Sequence, residues 1–195
     1  MKYNNSPKAF IPLLLLCIIC SSCNDMELAE KAYGRWESVN VIKEDGNKEK
    51  TYYEFSAVKG SFPGGSFKET TYFTETYEND MGQEYNEKYK SIIQGTWRIK
   101  AGDIYFTYDL STLKVTFEGI RSQNMNKISE ALTQSYIKIY GQSLIQESIE
   151  ELKENLYDWY SENENNEDCY QNLKIKGDNM SFDAADRVIN LIRIK

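Results

Sequence analysis

The sequence predicts a mainly β protein: an antiparallel β-barrel of about eight strands with a helical pair inserted near residues 122–161. Three observations predict it. Apolar and polar residues alternate from Tyr85 to Phe117, with a turn at Gly102-Asp103. A shorter copy of that pattern returns at Leu173–Phe182, turning at Gly177-Asp178. Between Gly119 and Tyr160 the apolar spacing changes from two to three or four. Antiparallel strands joined by tight turns favour a closed meander, because closure removes unpaired edges. A helix-capped open sheet is the structural alternative.

The first strand runs from Tyr33 to about Lys43, and Glu44-Asp45-Gly46-Asn47 supplies a hairpin turn. Thr51–Val58 and Phe67–Tyr77 follow, separated by the Gly60–Gly65 loop. Asn79–Gly82 turns again. Tyr85, Tyr89, Ile93, Gly95, Trp97 and Ile99 then share one parity, so Glu84–Lys100 reads as one long strand that can bend at Gly95. Asp103–Asp109 and Thr112–Glu118 read as two further strands. Helical spacing predicts Asn124–Tyr140 and Gln142–Tyr160, divided at Gly141. Strands resume at Cys169–Lys176, Asn179–Asp183 and Arg187–Lys195.

With 195 residues, 41% of them hydrophobic and 13% aromatic, the chain can bury one substantial core. It has 23 basic residues; without Lys2 and Lys8 of the leader, 21 remain against 30 acidic, a net charge of about −9. No basic cluster exists to displace counterions, which argues against a nucleic-acid partner. Histidine is absent, so His-based triads and His metal sites are excluded. Beyond the leader, Cys23 and Cys169 are the remaining cysteines, too few for a zinc cluster.

Residues 1–22 have the form of a signal peptide: Lys2 and Lys8 precede an apolar run, Leu13–Ile19, too short to span a bilayer. The segment Cys20-Ser21-Ser22-Cys23 resembles a bacterial lipobox. That resemblance implies a lipoprotein with Cys23 as its lipidated first residue. Its partner is then the membrane, at the periplasmic face or cell surface of a bacterial outer membrane. Asn24-Asp25-Met26-Glu27 resembles the acidic export tag of surface lipoproteins. Residues 23–32 read as a lipidated tether with a helical turn at Leu28–Ala32, and residues 33–195 as one domain.

Gly34-Arg35-Trp36, opening the first strand, resembles the Gly-x-Trp signature of lipocalins. Gly95-Thr96-Trp97 followed by Gly102-Asp103 is similar to lipocalin-like domains of small Gram-negative lipoproteins. The resemblance covers roughly residues 33–118 and 170–195, and it implies a ligand-binding barrel. The helical insertion departs from that pattern, because strands follow it.

On the expected interior faces the candidate ligand-contacting residues are Trp36, Phe73, Tyr85, Glu87, Tyr89, Trp97 and Phe106. For Trp36 and Trp97 the plain alternative is core packing. Glu69, Glu75 and Glu87 share parity with interior aromatics, and three inward carboxylates would suit a polar or cationic ligand. Their alternative place is an open rim. The helical pair reads as a lid or as a structural cover for the sheet. No nucleophile, base and charge stabiliser stand out together, so no enzyme, cofactor or metal is expected. The first functional reading is a membrane-anchored module that binds a small apolar or amphipathic molecule. The other is a protein- or glycan-interaction module with a filled barrel, using the 15 Tyr.

Overall fold

The computed structural model describes residues 23–39, 41–42, 48–61, 63–78, 84–122, 135, 138, 141–184 and 187–195. The leader, the turns at 44–47 and 79–82, and the helix expected over Asn124–Tyr140 (apart from Ser135 and Lys138, both helical) lie outside them.

The strands are β1 (Gly34–Ser38), β2 (Val41–Ile42), β3 (Lys48–Ala57), β4 (Gly64–Glu78), β5 (Glu84–Lys100), β6 (Asp103–Ser122), β7 (Glu167–Lys176), β8 (Asn179–Asp183) and β9 (Val188–Ile194). From β3 to β9 each pairs antiparallel with the next. β1 pairs with β9 on one side and β3 on the other, closing the sheet into a ring of eight strands. β2 adds a short pairing to β3. Closure leaves the ring's strands paired on both sides over part of their length, which answers the edge problem raised by the sequence.

Alternation sets what points inward. On β4, Phe67, Glu69, Thr71 and Phe73 are buried, while Lys68, Thr70 and Tyr72 are not. On β5 the buried set is Tyr89, Ser91, Ile93, Trp97 and Ile99. Gly95 belongs to that face for a steric reason. A Cβ there would lie 2.1 Å from the Thr107 carbonyl oxygen and 2.8 Å from the Phe67 ring.

The two strands expected over Asp103–Asp109 and Thr112–Glu118 are one strand, β6. Its register with β5 passes from Gln94↔Asp109 to Ile92↔Lys114, so residues 110–113 stand opposite Ile93 alone. The Asp109 carboxylate accepts from Ser111 N at 3.1 Å, and Thr112 Oγ1 accepts from Gln94 N at 2.9 Å. These bonds hold a bend within the strand where a turn would have ended it.

Among the described residues two long helical segments pack on this sheet. α1 spans residues 23–32, the segment expected as a tether, and buries Ala29 and Ala32. α2 (Gln142–Ser161) packs against β6 and returns through the 3-10 turn Glu164–Asn166 to β7. Among the described residues no helix is long and apolar enough to cross a membrane.

Candidate functional site

The two ends of the ring are built differently. Trp36, Phe55, Phe67, Trp97, Phe106, Met180, Phe182 and Leu191 fill the interior from one end, all but excluded from solvent. The Phe106 ring lies 5.8 Å from Phe55 and 5.0 Å from Phe67. α1 closes this end. Its Asp25 carboxylate accepts from Ala101 N and Gly102 N, both at 2.9 Å, in the β5–β6 turn. Ala101 holds φ at +57°, a left-handed conformation costly for a residue with a Cβ, and the two charge-assisted bonds stabilise it.

Trp36 Nε1 donates to Ala32 O at 2.7 Å, and the Arg193 guanidinium lies 4.1 Å from the Trp36 ring centroid. Arg193 also donates to the carbonyls of Tyr33 and Lys31, tying the last strand to the end of α1. Gly34 adopts φ +121°, and a Cβ there would meet Arg193 Nη1 at 2.8 Å. The Gly34-Arg35-Trp36 motif thus joins α1, β1 and β9.

The other end opens into a cavity of about 990 Å³. Thr51 and Tyr53 of β3, and Glu69, Thr71 and Phe73 of β4, form one wall. Asp168 and Tyr170 of β7, with Ile189 and Asn190 of β9, form another; Leu156, Trp159 and Tyr160 come from α2. Phe106 marks the boundary with the filled end, its ring 6.0 Å from Tyr53 and 5.5 Å from Tyr170.

Glu69 is the buried carboxylate of this cavity, 5% exposed. Tyr160 OH donates to its Oε1 at 2.7 Å, and Thr71 Oγ1 reaches the same oxygen at 3.4 Å. Thr71 in turn pairs with Thr51 at 3.1 Å, and Ser38 Oγ accepts from Thr51 N at 2.9 Å. Oε2 takes no hydrogen bond from the described residues, yet no buried side-chain oxygen or nitrogen among them is left unsatisfied. Oε2 is therefore open to the cavity.

Burial raises the Glu69 pKa to about 7, and the nearby Glu49 and Asp168 carboxylates push the same way against the Tyr160 and Thr71 bonds. Burial also raises Tyr160 and Tyr53 well above the usual phenol range, so both stay protonated. Asp168 accepts from Asn163 at 2.5 Å and from Tyr170 OH at 3.2 Å. Glu167 is bound by Arg98 at 2.9 Å. Four carboxylates and one cation, Arg187, line the cavity among the described residues.

Of the residues singled out by sequence, Phe73 lines the cavity and Phe106 lies beneath it. Trp36 and Trp97 pack in the filled end, where Trp97 Nε1 donates to Ser66 O at 3.1 Å. Glu87 and Tyr89 lie on β5 and bond each other at 2.6 Å, with the buried Tyr89 ring 5.4 Å from that of Phe117. Tyr85 lies on β5 opposite Tyr77; its side chain is outside the described residues. Of the three inward carboxylates expected, Glu69 faces the cavity, and Glu75 and Glu87 are half-buried. Sequence reasoning did not single out Tyr160 as a site residue. Its one signal was an aromatic residue closing an amphipathic helix before the chain re-enters the sheet. Among the described residues no group of three or more His, Cys, Asp or Glu is placed to hold a metal ion. No protein-family model, curated protein or solved structure matches this chain.

Proposed function

We propose that the protein is a lipid-anchored envelope protein that holds a small apolar or amphipathic molecule at the open end of a lipocalin-like β-barrel, without catalysis. The cavity of about 990 Å³ carries this reading. Small-molecule sites are typically concave, about 300–1,000 Å³, with apolar and aromatic walls and a few convergent polar groups. Here Phe73, Leu156, Ile189 and the Tyr rings are the apolar surface, and Glu69 and the threonines are the polar groups. The eight-strand closed ring and the Gly34-Arg35-Trp36 opening of β1 support the lipocalin-like assignment.

The lipobox resemblance makes Cys23 the attachment point, and Cys23 is exposed at the start of α1. β1 runs from Gly34 beside α1 to Ser38 at the cavity. A lipid on Cys23 would thus hold the filled end towards the membrane and turn the cavity away from it. The alternative, a glycan- or protein-interaction module, draws on Tyr157 and Trp159, both half-exposed on α2.

Native mass spectrometry of the protein isolated from its own envelope tests the reading. An added mass that disappears on denaturation is expected, together with the mass of an acylated Cys23. A bare protein mass, with no ligand recovered by solvent extraction, contradicts ligand carriage and favours the interaction module.

A further inference from the structure

The cavity holds one group that its walls do not explain. Glu69 is buried, yet among the described residues only its Oε1 is engaged, and Oε2 opens into the cavity. A buried carboxylate without a charge partner is costly. The cation among the lining residues, Arg187, is exposed at the rim and forms no ion pair with Glu69. The Glu49 and Asp168 carboxylates add negative potential where Glu69 sits.

From this geometry we infer that the ligand carries an organic ammonium group, which docks against Glu69 Oε2 with its apolar part along Leu156 and Ile189. This inference rests on the ligand-binding reading above and gives it a chemical class. Two features separate an organic cation from a metal ion. A metal ion needs several converging charged ligands, and among the described residues no group of three or more His, Cys, Asp or Glu is placed to supply them. Aromatic rings, in contrast, attract weakly hydrated cations through their faces, and Tyr53, Tyr160, Tyr170 and Trp159 line this space. The rise of the Glu69 pKa to about 7 accords with this, because a carboxyl without a cationic partner resists ionisation on burial.

The test uses three probes of similar shape: benzyltrimethylammonium, benzyl alcohol and benzenesulfonate. Each is titrated calorimetrically into the full chain in a nonionic detergent, with a detergent blank. The expected result is that the ammonium binds at least about tenfold tighter than the alcohol, with the sulfonate weakest. Glu69→Gln should abolish that preference while retaining the alcohol's affinity, and Glu87→Gln should change neither. Thermal unfolding of each variant checks that it is folded. If ammonium and alcohol bind alike, or Glu69→Gln keeps the preference, the cation assignment is overturned and the cavity reading stands. If none of the three binds, both fall.

Discussion

The filled end and the open end of the ring share the same strands and the same alternation, yet one is dry and the other polar. The difference lies in which residues occupy the inward positions. On β4 the inward series runs Phe67, Glu69, Thr71, Phe73, changing from aromatic to polar within one step. On β3 it runs from Phe55 through Tyr53 to Thr51. The covers differ as well. α1 brings Ala29, Ala32 and a carboxylate that locks a turn, which suits a permanent seal. α2 brings Tyr160 to hold Glu69 and leaves Trp159 half-exposed. One alternation can thus build a stabilising core and a site, the first by matching apolar groups and the second by leaving one polar group open.

Breaking the filled end should have the largest effect. Trp36→Ala removes a fully buried ring, its bond to Ala32 and its contact with Arg193, and should cost about 3–5 kcal/mol in denaturant unfolding. A loss under about 1 kcal/mol would mean that this end is not the stabilising core.

At the open end the corresponding effect is a dependence on pH. The folded-state pKa of Glu69 lies above its unfolded value, so between about 4.5 and about 7 the folded state binds more protons. Its contribution to stability is therefore greatest below about 4.5 and falls as pH rises through 7, by about 3 kcal/mol in all. The measurement is the difference between the unmodified chain and Glu69→Gln across pH 4 to 8, in which contributions common to both cancel. A difference that stays flat contradicts the assignment.

Asp25→Ala removes both acceptors from the β5–β6 turn and should cost about 2 kcal/mol, with faster amide exchange at Ala101 and Gly102. Tyr160→Phe should have the smallest effect, about 1 kcal/mol. It also removes a bond that favours the charged carboxylate, so the Glu69 carboxyl carbon, followed by NMR, should titrate at higher pH than in the unmodified chain.

Strand alternation was legible because each long strand has one inward face, and parity alone put Glu69 among the interior residues. The bend of β6 was not. Leu110-Ser111-Thr112 interrupts the alternation as a turn would, and only Asp109 and the partner strand decide between turn and bulge. α1 was read as a tether because its buried residues, Asp25, Ala29 and Ala32, carry almost no hydrophobic periodicity. The contact between Tyr160 and Glu69 spans 91 positions, and no local pattern encodes it. Trp36, Trp97 and Phe106 show a related limit: parity gives the inward face of a strand, not which end of the ring a residue occupies.

The difference between the two ends is tested most directly by NMR of the ¹⁵N-labelled protein during titration with benzyl alcohol, a neutral probe that needs no charge partner. Shifts at Thr51, Thr71, Tyr160 and Ile189 that saturate together are expected, with the indole N–H signals of Trp36 and Trp97 unmoved. Shifts led by those two indoles, or no saturable shift at the open end, would contradict that difference.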